Sequence, residues 1–145
     1  MRQPPRSTLL PYTTLFLSTA VRVRATADDP RVGPVVLLSA FSRAITATHP
    51  QSLLLITGAW EPGLTDFALE AAQMVDPDAA PGQRVTQGDV ARRALLAPAV
   101  EHVAILQSRA GRAAALAWLN DHYGITRSAA VPPTGWALVA LLTAI

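Results

Sequence analysis

A chain of 145 residues is one domain at most, and one that is 50% hydrophobic and 15% charged is not a disordered tail. It has no cysteine, which removes disulfides and thiolate chemistry. Its 12 basic residues are all arginine against 10 acids. With Arg2 and Arg6 of an acid-free leader set aside the charge is balanced, and no basic face with interleaved aromatics remains to bind nucleic acid.

Residues 1–18, MRQPPRSTLLPYTTLFLS, do not match the composition of the rest of the chain. Pro4, Pro5 and Pro11 fix φ and remove backbone donors, so no helix or inner strand is expected through them. Pro11, Thr13 and Thr14 interrupt the apolar run that an export signal needs. The stretches 4–9 and 11–16 resemble translated sequencing-adapter read-through. On that reading the leader is non-native or disordered, and the genuine protein starts near Thr19 without its N-terminal part. Arginine without lysine, amid abundant alanine, proline and valine, resembles the usage of a GC-rich bacterial genome.

Residues 32–39, Val-Gly-Pro-Val-Val-Leu-Leu-Ser, predict a strand starting near Val35, because Pro34 cannot sit inside one. Its apolar run is continuous, as in a parallel strand covered on both faces. A loop at 41–50 leads to a second buried strand, Leu53 to Thr57, which ends in a glycine turn. A helix is expected over 64–75, where Leu64, Phe67, Ala68, Ala71 and Val75 recur at helical spacing. Thr65 is its expected cap, and Asp66 and Glu70 suit its positive end. Residues 76–82 read as a surface loop. A third strand spans 93–97 and is stopped by Pro98. Ser108 reads as the N-cap of a helix reaching about His122, with Ala110, Ala114, Trp118 and Leu119 facing inward and Gly124 stopping it.

Three strands separated by helices or long crossovers predict an α/β fold, a three-layer fragment with a short parallel sheet flanked by helices and joined by right-handed crossovers. The domain occupies 19–124 and a polar linker 125–135. The apolar segment 136–145 is too short to span a bilayer, which takes about 20 residues. Two readings stay open for it: a helix docking on the domain, or the first half of a transmembrane helix and hence a membrane association.

In open α/β sheets ligands bind beyond the carboxyl ends of the strands. Glu61, in Gly58-Ala-Trp-Glu61, and His102, in Glu101-His102-Val-Ala-Ile-Leu106, each follow a strand end. A carboxylate beside an imidazole fixes its tautomer and stabilises the imidazolium formed when it takes a proton from a nucleophile. The competing readings are a solvated turn carboxylate for Glu61 and a structural histidine for His102. Asp89, beside Gly88, is the reserve acid, and Glu101 reads as a surface charge. Trp60 and Phe41 read as pocket-lining, core or rim residues. His49 and His122 read as exposed, and three histidines so dispersed lack ligand spacing, so no metal is expected. No glycine-rich phosphate loop is present and no cofactor is expected.

The succession strand, Gly58-x-x-Glu61, helix, strand, Glu101-His102, helix resembles the C-terminal half of an α/β-hydrolase-fold protein over residues 28–123. In that family a Gly-x-x-Asp/Glu turn after the penultimate strand carries the triad acid, and the loop after the last strand carries the histidine. The resemblance therefore implies Glu61 as acid and His102 as base, with a small ester-type substrate. The apolar tail after a proline-rich linker also resembles members that continue into membrane helices. The nucleophile elbow Gly-x-Ser-x-Gly is absent. Ser39 is the closest serine, but it lacks flanking glycines and lies on the wrong strand in the family order. The expectation is an inactive fragment of a serine hydrolase whose nucleophile lies upstream; the alternative is a non-catalytic α/β interaction module. A lost neighbouring strand would leave 35–38 as an open apolar edge.

Overall fold

The computed structural model describes residues 32–126 and 131, together with the backbone of a strand at 12–16. Its strands are β1 (Tyr12–Phe16), β2 (Val32–Leu38), β3 (Ser52–Gly58), β4 (Arg84–Gln87) and β5 (Val90–Ala97). They form one sheet in the order β1-β2-β3-β5-β4. The strands β1, β2, β3 and β5 are parallel, and β4 is antiparallel to β5. Helix α1 (Pro62–Gln73) lies between β3 and β4, and a 3-10 turn (Ala104–Gln107) and helix α2 (Arg109–His122) come after β5.

The continuous apolar runs are explained by cover on both sheet faces. Successive residues of a strand point to opposite faces. Val35, Leu37, Leu53 and Leu55 pack with Ala68, Ala71, Ala72 and Val75 on the α1 side. Val36, Leu38, Leu54 and Ile56 pack with Ile105, Ala115 and Trp118 on the α2 side. The result is a helix–sheet–helix sandwich. Burying a leucine or isoleucine side chain contributes about 1.5–3 kcal/mol. Leu53, Leu54, Leu55 and Ile56 are all fully buried, so β3 is the keel of the domain.

Several expectations are corrected. The sheet has five strands, because Gly88-Asp89 makes a two-residue hairpin between Gln87 and Val90. Gly88, at φ +57, adopts the left-handed conformation such a turn requires at its first position. This hairpin also starts β5 at Val90, before the expected Arg93. The β2 edge is not open, since β1 pairs with it in register Leu15↔Val36 and Phe16↔Leu37. Residues 12–16 of the expected leader thus form a strand beside β2.

Helix α1 begins at Pro62, because proline suits the first helical position, where its missing N–H has no intrahelical role. Thr65 is therefore inside the helix, and its hydroxyl donates to the Pro62 carbonyl at 2.7 Å. In α2 the buried stripe is Gly111, Ala115 and Trp118, while Ala110 is exposed. Ser108 caps α2, its Oγ accepting from the Gly111 amide at 3.1 Å. Gly124 ends the helical region at φ +62.

Arg92 of β5 is fully buried, with no carboxylate partner among the described residues. Its Nη1 donates to the Ala71 carbonyl at 2.8 Å, near the end of α1. Its Nη2 donates to the carbonyls of Thr46 and His49. Burial pushes the guanidinium pKa down. The cation sits at the negative end of α1, where the last carbonyls lack helical partners. It ties α1, the loop before β3 and β5 together. Segment 136–145 lies outside the described residues; among those described, no helix is long and apolar enough to cross a membrane.

Candidate active site at the carboxyl ends of β2, β3 and β5

Three loops leave the same rim of the mixed sheet, at the carboxyl ends of its parallel strands, and each brings one polar side chain to a common point. Ser39 comes after β2, Glu61 after β3 and His102 after β5. His102 Nδ1 lies 2.7 Å from Glu61 Oε1. Glu61 Oε2 accepts from Ser39 Oγ at 2.5 Å and from the Gly58 amide at 2.9 Å. The two residues separated by 41 positions in the chain are therefore in direct contact.

The backbone holds the loops in place. After β3, the Ala59 amide donates to the Ala97 carbonyl at 2.9 Å and the Trp60 amide to the Val100 carbonyl at 3.3 Å. The acid-bearing turn is thus hydrogen-bonded to the histidine-bearing loop. Gly58 is required by proximity. A Cβ there would stand 2.3 Å from the Val100 carbonyl oxygen and 2.9 Å from Glu61 Oε2. Only a bare Cα lets the loops approach and the carboxylate fold back onto its own turn. Ala99 occupies the left-handed region at φ 54, a conformation that L side chains disfavour.

Glu101 is exposed, and its carboxylate accepts from the amides of Val103 and Ala104, both at 3.2 Å. It occupies the first-turn amides ahead of the 3-10 helix and so fixes the turn that carries His102.

The electrostatics come from these contacts. Desolvation pushes the Glu61 carboxyl up, but the Ser39 hydroxyl, the Gly58 amide and the adjacent imidazole together outweigh it, so its pKa lies below the ordinary value. The carboxylate is shielded, its side chain 10% exposed, whereas the His102 side chain is 53% exposed. With Nδ1 committed to the carboxylate, the ring can offer only Nε2 to a reacting group. An ionised acceptor at Nδ1 selects the tautomer with its proton there and leaves Nε2 basic.

The remaining candidates lie elsewhere. Asp89 is in the hairpin before β5, at the opposite rim from His102, so it is not a reserve acid for this pair. His49 precedes β3 and contacts Thr48 Oγ1 at 3.0 Å through Nδ1. His122 ends α2 with its ring edge-on to Tyr123. Phe41 packs against Phe67 of α1, with ring centroids 4.6 Å apart. Trp60, next to the acid, is 67% exposed, and Val103, next to the histidine, is exposed as well. Among the described residues, no three histidines or acids cluster as a metal set.

The role of Ser39 as a partner of Glu61 was not expected from the sequence. The signal was present, because parallel β2 and β3 are adjacent and both end at this rim. Ser39 does not serve His102: its hydroxyl donates to the carboxylate, and the residue is 2% exposed. Of the other described serines, Ser42 is buried and accepts from the Ala44 amide, Ser52 opens β3 at the far rim, and Ser108 caps α2. No family model, characterised protein or solved structure matches the chain.

Proposed function

We propose that the chain carries the acid and the histidine of a serine hydrolase of the α/β-hydrolase type, acting on ester or similar acyl bonds. The observation that carries this reading is the contact between His102 Nδ1 and Glu61 Oε1 at the carboxyl ends of the parallel strands of a mixed sheet. In a triad the acid holds the imidazole by Nδ1, and Nε2 takes the proton from the attacking hydroxyl. The Glu61 carboxylate is shielded and its pKa lies below the ordinary value, which favours the ionised form that role requires, and His102 is open to solvent.

The nucleophile comes from outside the described residues. An upstream serine on a strand–elbow–helix unit attacks the acyl carbon, His102 Nε2 accepts its proton and returns it to the leaving group, and Glu61 stabilises the imidazolium between these steps. Exposed Trp60 and Val103 give the rim an apolar border suited to an acyl chain.

Two experiments test the reading. Recovery of the upstream coding sequence is expected to reveal Gly-x-Ser-x-Gly between a strand and a helix. The longer polypeptide is then expected to hydrolyse a short-chain p-nitrophenyl ester, with His102→Ala lowering kcat by at least about 10³-fold. An upstream sequence without that elbow favours a non-catalytic α/β module. Purified as it stands, the 145-residue chain is expected to show no turnover that depends on His102.

A further inference from the structure

We infer that Ser39 is a positioning residue for Glu61: its hydroxyl locks the carboxylate in the one orientation that presents Oε1 to His102. The inference rests on the hydrolase reading for its purpose, though not for its geometry.

Glutamate is a loosely held acid. Its long side chain has many rotamers to lose when it is fixed. An unrestrained carboxylate can turn about its last torsion and swing away from the imidazole. Here Oε2 is pinned by two donors from two strands, the Gly58 amide on β3 and the Ser39 hydroxyl beyond β2. The remaining oxygen points at His102. The amide alone lies on the same turn as Glu61 and moves with it. Ser39 is the only one of the two that references the carboxylate to a different strand.

Ser39 is itself firmly mounted. Its amide donates to the Ile56 carbonyl of β3 at 2.8 Å, so the ladder continues one residue past β2. The residue is 2% exposed, and its φ is +41. The left-handed region is disfavoured for a non-glycine residue, whose Cβ crowds the backbone there. If the turn alone mattered, glycine would serve better there. A serine held in a conformation that glycine prefers points to a use for the hydroxyl. That hydroxyl makes a charge-assisted bond of 2.5 Å, at the short end for O–H to carboxylate. The groups facing Glu61 are Ser39 from the end of β2, the Gly58 amide from β3 and His102 from the loop after β5, and the nearby Glu101 carboxylate is occupied by the Val103 and Ala104 amides.

The test uses the full chain and requires no turnover. Ser39→Gly removes the hydroxyl and relieves the backbone; Ser39→Ala removes the hydroxyl and keeps the strain. Carboxyl 13C shifts of Glu61 are tracked against pH, and the His102 Nδ1 proton is observed at low temperature. In both variants the Glu61 midpoint is expected to move upward and the Nδ1 proton to be lost to exchange, while Ser39→Gly melts no lower than wild type. Ser39→Cys, with a weaker donor, is expected to fall between. If Ser39→Ala, or Ser39→Gly where it folds, leaves both signals as in wild type, Ser39 is a turn residue only and the inference is overturned. That result would leave the hydrolase reading standing, because the reading depends on the imidazole contact and on an upstream nucleophile. Conversely, an upstream sequence lacking the elbow would leave these signals unchanged.

Discussion

His102 Nδ1 meets Glu61 Oε1 at 2.7 Å because the loops that carry them are bonded to each other before either side chain is considered. The Ala59 amide bonds the last residue of β5, and the Trp60 amide bonds Val100 three residues further on. The side-chain contact is thus the last element of a pre-assembled rim. That order of causes predicts which substitutions disturb it.

Glu61→Gln is expected to separate charge from shape. The folded carboxyl titrates below its ordinary 4.5, so as pH falls the unfolded chain takes up the proton first. Stability from this group is therefore fully present above about 4.5 and is lost as pH falls through the folded midpoint. At pH 7 the glutamine variant is expected to be less stable by about 1.5–3 kcal/mol, the usual worth of hydrogen bonds to a charged group. The gap should close in acid. Asp121, lowered chiefly by its hydrogen bond from Arg84, slopes in the same direction in both proteins and cancels. Urea titrations of the pair across this range check it; a gap that stays constant with pH would show that Glu61 is not ionised in the folded state.

Gly58 and Gly63 make a matched comparison. A methyl group at Gly58 collides with the Val100 carbonyl and the Glu61 carboxylate, whereas one at Gly63 meets nothing within 4 Å. Gly58→Ala is expected to cost about 1–3 kcal/mol through overpacking and to break the Glu61–His102 contact. Gly63→Ala, in the first turn of α1, is expected to gain about 0.5–1 kcal/mol. Thermal melts decide both signs, and equal effects at the two sites would refute the close-approach explanation.

Arg92 holds the opposite part of the domain together. Arg92→Ala strands the carbonyls of Ala71 and Thr46, leaves that of His49 with the Thr46 amide alone, and opens a cavity beside Met74. A loss of about 3–5 kcal/mol is expected from orphaned buried acceptors and lost packing. In conditions where the variant stays folded, the His102 Nδ1 proton should persist, because no Arg92 contact reaches the rim. A near-neutral melt would mean that the buried cation contributes no net stability.

Much of this was legible in the sequence, for physical reasons. The runs around Leu53 and Val35 carry no polar face, and only a strand covered on both sides tolerates that. The placement of Glu61 and His102 past strand ends on one rim was legible, because the apolar runs before them lead into glycine or proline turns. Pairing was not legible at the sheet edges. The segment Tyr12–Phe16 is short and threonine-rich, and the hairpin strand Arg84–Gln87 is mostly exposed, so neither shows an apolar pattern. Arg92 was hidden because it falls just before the expected strand at 93–97, and its three carbonyl partners come from distant segments. Ser39 was weighed only as a nucleophile, and its contact with Glu61 depends on strand adjacency, which no local pattern encodes.

The central claim is that Glu61 holds His102 by Nδ1 and leaves Nε2 for a reacting hydroxyl. The most direct measurement is the 15N and 1H spectrum of the histidine rings in the full chain, with Glu61→Gln as control. A neutral His102 protonated at Nδ1 is expected, with a downfield proton that disappears in the glutamine variant. A His102 protonated at Nε2, or a ring spectrum unchanged by the substitution, would contradict the claim.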